Sequence, residues 1–171
     1  MTALLGSEPP PEVGVTKETV FTIYRSFKRL TKQPHFVAPL TAVLCIAPAP
    51  AIAEREKRAT GPHYRTFIHV YVNGLADETI TGGRATFPPG AVIVKEKLIA
   101  DGSVARTGGP VSGVAGMIKR APGFDPKNGD WEYFYSDKIA ELSTGRLQNC
   151  GECHSNAKST DYVFSVWKPF D

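Results

Sequence analysis

The chain has 171 residues, 42% of them hydrophobic and 22% charged, with 16 Gly, 14 Pro, 3 Cys and a formal net charge of +3 at pH 7. That length suits one compact domain plus some irregular or extended sequence, without a second core. The basic residues are scattered rather than clustered and no stretch reads as a membrane span, so neither a nucleic-acid surface nor a transmembrane protein is indicated; small molecules and electron-transfer partners remain.

Residues 1–15 carry three consecutive prolines and little periodicity, and are expected to form an extended arm before a single domain over 16–171. Thr16 can cap a helix whose apolar stripe is Val20, Tyr24, Phe27 and Leu30, with Lys17, Arg25, Lys28, Arg29 and Lys32 turned to solvent, ending before Pro34. The apolar run from His35 to Ala53 imitates a signal-peptide core with an A-x-A site, but it follows the predicted helix and is rich in proline. A buried segment of the mature domain is the expectation. Met1 to Pro11 lacks the charged and apolar regions of a secretion signal, so a native leader is expected to have been removed.

Strand signals follow. Residues 64–72 alternate, with Tyr64, Thr66, Ile68, Val70 and Val72 on one face and Arg65, Phe67, His69 and Tyr71 on the other. After the turn Pro88-Pro89-Gly90, residues 91–99 alternate again: Ile93, Lys95 and Lys97 oppose Val92, Val94 and Glu96. A glycine-rich stretch over 108–116 leads into the strand-like Met117-Ile118-Lys119-Arg120, and Trp131 to Tyr135 forms an aromatic strand behind the turn at 126–130. The fold class expected is α+β: an antiparallel sheet flanked by an N-terminal helix and a C-terminal haem-binding helix.

That last element comes from Cys150-Gly151-Glu152-Cys153-His154. The C-x-x-C-H spacing is the attachment signature of a c-type haem: two thioether sulfurs and one axial imidazole. Residues three apart share a helical face, so Cys150 and Cys153 can both reach a porphyrin edge with His154 under the metal. A thioredoxin-like dithiol would need a preceding βαβ unit, and a structural zinc would need ligands beyond Cys150, Cys153 and His154, with only distant Cys45 or another histidine to supply them. One haem c, attached through Cys150 and Cys153, is the cofactor expected. Its attachment outside the cytoplasm implies a periplasmic location.

The segments HYRTFIHVYVN, FPPGAVIVKEKL, GDWEYFY and CGECHSNAKSTDYVF occur in the order found in the cytochrome P-460 family, and residues 63–167 resemble it. The resemblance implies a β-rich, commonly homodimeric monohaem protein with five-coordinate iron. Its activity would be the oxidation of hydroxylamine, with nitric oxide, towards nitrous oxide, with electrons passing to a soluble redox partner. A sister group, the cytochromes c′-beta, shares the fold and binds nitric oxide without the chemistry. By resemblance, Lys95 matches the lysine that bonds covalently to the porphyrin, Arg65 the distal arginine, and His154 the proximal ligand. Where family enzymes carry a distal carboxylate, this chain has Ala115, which cannot act as a base; Glu132 is an alternative acid from another strand.

The residues themselves support part of this. A strand that buries Ile93 also carries Lys95 inward, and burial favours the neutral amine able to bond to an oxidised porphyrin; a half-exposed Lys95 that snorkels to solvent is the alternative. Arg65, sharing a face with Phe67, His69 and Tyr71, can line the pocket and hold a nitrogen-oxide ligand, or remain a surface arginine. Phe87 can crowd the distal face or belong to the core. Met117, His69 and His63 are the candidate sixth ligands for an electron-transfer cytochrome, with core or surface roles favoured, and Cys45 reads as a buried thiol.

Overall fold

The computed structural model describes residues 19–36, 66–98, 109–137 and 141–164. The expected arm over 1–15, the apolar segment beyond Phe36, Cys45, His63 and Arg65 lie outside these residues.

Among the described residues seven strands form one antiparallel sheet: β1 (Lys28–Arg29), β2 (His35–Phe36), β3 (Phe67–Val72), β4 (Val92–Leu98), β5 (Val111–Lys119), β6 (Trp131–Ser136) and β7 (Ser143–Gly145). The order is β1-β3-β4-β5-β6-β7, with β2 also pairing β3 at its other end. The central strands are runs of β-branched and aromatic residues, which fit a pleated surface covered on both sides. Directly paired residues share a face, so the register sorts every side chain. Ile68, Val70 and Val72 fall with Ile93, Lys95 and Lys97, with Ala115 and Met117, and with Trp131, Tyr133 and Tyr135. Phe67, His69 and Tyr71 fall on the reverse face with Val94, Glu96, Val114, Ile118, Glu132 and Phe134.

Each face has its own core. Ile68, Val70, Val72, Ile93, Met117, Trp131 and Tyr133 pack with Phe87, Tyr162 and Val163 on the first, and Leu147 and Cys150 lean on them. Tyr24, Tyr71, Val92, Val94, Val114, Ile118 and Phe134 form the second. The expected alternation of β3 and β4 is therefore observed.

The N-terminal helix is not. Residues Thr19–Ile23 form a single wide turn, Tyr24–Ser26 a short tight one, and the chain is then extended. The sequence TVFTI is dominated by β-branched residues, which lose side-chain freedom in a helix, and the exposed edge of β3 offers hydrogen bonds instead. Leu30 N–H donates to the Val70 carbonyl, and Val70 N–H donates to the Thr31 hydroxyl. The predicted stripe also divides: Phe27 packs on the core of the reverse face and Leu30 on that of the first.

Two short α-helices are present among the described residues. The first, α1 (Gly74–Thr81), follows β3 directly and was not signalled by apolar periodicity; Asn73 caps it, its Oδ1 accepting from Ala76 N–H. The second, α2 (Gln148–His154), carries the C-x-x-C-H motif and runs into a tight turn over Ser155–Thr160. No helix among the described residues is long and apolar enough to cross a membrane.

Candidate haem site

The motif lies against the first face of the sheet. Cys150 packs on its core, and the His154 ring stands 5.2 Å from that of Tyr133 and 5.2 Å from that of Phe164. Neither Cys150 nor Cys153 is bridged in a disulfide. Among the described residues no group of three or more His, Cys, Asp or Glu comes together as a metal site.

His154 is oriented by its own chain. Its Nδ1 lies 2.6 Å from the Tyr162 carbonyl oxygen, which assigns the proton to Nδ1 and leaves the Nε2 lone pair for a metal. Burial first, and then the charge of Lys95, push its pKa down to about 4, against the carbonyl bond that raises it. The imidazole is thus neutral at ordinary pH, the form that ligates iron.

The Tyr162 carbonyl is aimed by an unusual turn. Asp161 and Tyr162 are both left-handed, with φ of 53° and 64°. Asp161 is clamped there: its carboxylate oxygens each lie 2.7 Å from Lys119 Nζ, Phe87 N–H donates to its Oδ2 at 2.8 Å, and Trp131 Nε1–H donates to its backbone carbonyl at 2.8 Å. Sequence reasoning missed Asp161 as a site residue; a non-glycine residue held at positive φ is invisible without coordinates.

Lys95 stands on the same face as the motif. It pairs with Val70 on β3 and Ala115 on β5, and it is half-buried. Burial pushes its ammonium below the ordinary lysine range, with Cys153 and Cys150 near enough to oppose the shift. In turn Lys95 lowers the Cys150 thiol, which burial raises, and lowers His154. Lys95, Cys150, Cys153 and His154 therefore form one electrostatic neighbourhood, as expected for a lysine turned inward with Ile93.

His35 joins this neighbourhood, although no motif marks it. Paired with Ile68, it lies on the first face, and burial followed by the Lys95 charge lowers its pKa.

The other candidates separate. Phe67, His69 and Tyr71, the expected companions of Arg65, are on the reverse face, away from the motif; the expectation that they line the haem pocket is corrected. Both faces of β3 are apolar enough to be covered, so alternation alone could not choose between them. His69 is on that reverse face too, bonded through Nδ1 to the Thr31 hydroxyl at 2.9 Å, away from the motif. Met117 is core, between Ile93 and Tyr133. Phe87 packs edge-on against Trp131 at 5.5 Å and borders a cleft of about 630 Å³ with Leu30, Ile80 and Val163, none of whose lining residues belongs to the motif. Glu132 is on the reverse face, ion-paired with Arg120, and cannot replace an acid beside Lys95. Ala115 does stand next to Lys95.

A haem fits this donor set. The test is Tyr133, 2% exposed, whose hydroxyl has no hydrogen-bond partner among the described residues. An unmet buried hydroxyl costs about 1–3 kcal/mol. It lies beside Cys150, whose charge helps to raise its pKa after burial, and so it is a buried polar atom beside the motif that the described residues leave for another group to meet.

A search against curated proteins returned no match. The family model for cytochrome P-460 matches residues 51–165, spanning the strand pairs that carry Lys95 and Ala115 as well as the whole of α2, and the chain belongs to the cytochrome P-460 family of haem proteins.

Proposed function

We propose that the chain is a haem c oxidoreductase acting on hydroxylamine, nitric oxide or both at a five-coordinate iron, with Cys150 and Cys153 holding the porphyrin, His154 as proximal ligand and Lys95 able to form a further bond to the ring. The reading rests on one observation above all: a half-buried lysine, its ammonium disfavoured, shares the sheet face and the electrostatic reach of all three motif residues. When bound, haem supplies the redox-active iron and its open coordination position.

The chain's own groups set the conditions. Tyr162 holds the His154 ring through Nδ1, so Nε2 is presented in one orientation. Ile68, Val70 and Ile93 give Lys95 apolar neighbours that exclude water and favour its neutral amine. Arg65, which lies outside the described residues, is kept in the proposal on the family resemblance alone, as the fixed charge that holds a nitrogen-oxide ligand. The native protein is further proposed to be a periplasmic homodimer that passes electrons to a soluble redox partner.

A second reading, a non-catalytic nitric oxide carrier of the c′-beta kind, is favoured by Ala115: no carboxylate stands beside Lys95 on β5. Plain electron transfer has less support, since Met117 and His69 have structural partners.

Two measurements on the haem-loaded protein separate these. A strongly red-shifted ferrous Soret band, with a tryptic peptide in which Lys95 is joined to the haem peptide, supports the enzyme; an ordinary high-spin spectrum without that peptide removes the cross-link. Hydroxylamine consumption with an electron acceptor supports catalysis, and its absence leaves the carrier.

A further inference from the structure

The sheet face that bears Lys95 carries a second ionisable cluster, which no part of the haem motif explains. Lys97, one alternation beyond Lys95 on β4, is 7% exposed. Its Nζ lies 3.3 Å from the Tyr135 hydroxyl and 3.4 Å from Asp137 Oδ1, and Tyr135 donates its hydroxyl hydrogen to the same Asp137 oxygen. Tyr135 is on the row of the sheet that runs Val70, Lys95, Ala115, Tyr135. Neighbouring strands are about 4.8 Å apart, so Tyr135 and Lys95 stand on backbones about 10 Å apart, with the methyl group of Ala115 between them on this face. Asp137, just past the end of β6, has a side chain 65% exposed.

A buried lysine held to an exposed carboxylate through a tyrosine is costly as a stabilising device. The ammonium loses most of its hydration, whereas its partner remains in water where the attraction is screened. As a conduit it has the parts required: one end is wet, the other lies on the same sheet face as Lys95, and the hydroxyl between them can accept a proton on one side while releasing its own on the other. Three other acids of the sheet and its flanking turn do not compete. Glu96 points to the reverse face, bound by Tyr24 and Arg25, Glu132 by Arg120, and Asp161 is held by Lys119.

We infer that Tyr135 and Asp137, with Lys97 holding the carboxylate in place, form a proton relay between solvent and the Lys95 face of the haem site. This rests on the proposed haem chemistry and goes beyond it: a ligand that arrives protonated loses its proton to the Tyr135 oxygen, the Tyr135 proton passes to Asp137, and Asp137 returns it to water. No electrons move in this step.

The test uses a probe that needs no turnover. Hydrogen cyanide must lose a proton to bind ferric haem, whereas carbon monoxide binds ferrous haem without any proton transfer. In haem-loaded protein, Tyr135→Phe and Asp137→Asn are expected to slow cyanide association by about 10²-fold, the scale of a positioned general base, and to leave carbon monoxide association unchanged. Asp137→Glu restores the cyanide rate. Unchanged cyanide association, or equal slowing of both ligands, overturns the relay; the second result marks a steric change. Because Tyr135→Phe only removes an oxygen, it preserves the test if the Asp137 variant does not fold. A wild-type protein that consumes no hydroxylamine yet shows the cyanide effect would remove the enzymatic reading and keep the relay.

Discussion

His154 and Tyr162 are joined by a 2.6 Å contact from imidazole Nδ1 to the main-chain carbonyl, across a turn in which Asp161 and Tyr162 are both left-handed. Residues other than glycine pay about 1–3 kcal/mol for such positions and keep them only where surrounding contacts over-determine them. Here the contacts are those of Asp161 with Lys119, Phe87 and Trp131, so the orientation of His154 is set by a carboxylate seven residues along the chain.

Replacing Asp161 by Ala should therefore be severe. Lys119, its side chain 12% exposed, would be left as an unpaired buried charge, and breaking such a pair costs about 3–5 kcal/mol. Urea unfolding followed by tryptophan fluorescence should show the unfolding free energy fall by that amount and the midpoint fall with it. A midpoint like that of the wild type would mean that the turn is held by other contacts.

Gly129 tests the same turn from the other side. Its φ is +67°, and a Cβ there would collide with the Tyr162 ring. Gly129→Ala should destabilise by about 1–3 kcal/mol. Gly129→Asn should do no better, although asparagine tolerates positive φ, because the obstacle is space as well as backbone. Rescue by asparagine in thermal unfolding would assign the whole cost to φ.

On the reverse face, Tyr24 donates to Glu96 Oε2 at 2.5 Å and Arg25 Nε reaches the same oxygen at 3.2 Å. Tyr24→Phe leaves that buried carboxylate short of a donor, and the expected loss is about 1–3 kcal/mol. The loss should shrink in a Glu96→Gln background, since both substitutions act on one bond. Strict additivity in the double-mutant cycle would show the two residues to be energetically independent.

His69 confers a pH dependence. Burial, followed by the charge of Arg29, lowers its folded pKa below 6.5, with Glu96 opposing. The unfolded chain then binds more protons than the folded one at acid pH, so this contribution is complete above about pH 6.5 and is lost as pH falls through the lower folded value. Wild-type protein should unfold at lower urea near about pH 5 than near about pH 7.5. His69→Gln, which keeps a partner for Thr31, should reduce that difference; an unaltered pH slope would place the dependence elsewhere.

The sequence by itself determined the features that depend on local spacing. Cys150, Cys153 and His154 lie within one helical turn, and the haem reading needs nothing more distant than that. The inward turn of Lys95 with Ile93 is equally local, because a strand of period two cannot bury one without the other.

Tertiary structure decided which faces meet. On β3 the sets Ile68, Val70, Val72 and Phe67, His69, Tyr71 are both apolar enough to be buried, and only the pairing with β4 and β5 shows that the first set lies with the motif. The stripe Tyr24, Phe27, Leu30 has helical spacing, yet the unpaired edge of β3 draws that segment into extended pairing, since its amides and carbonyls must be bonded somewhere. The approach of Lys97 to Tyr135 and Asp137 spans 38 and 40 residues, and the Asp161 clamp depends on a left-handed backbone. Both are products of strand register and chain reversal, which no short-range periodicity encodes.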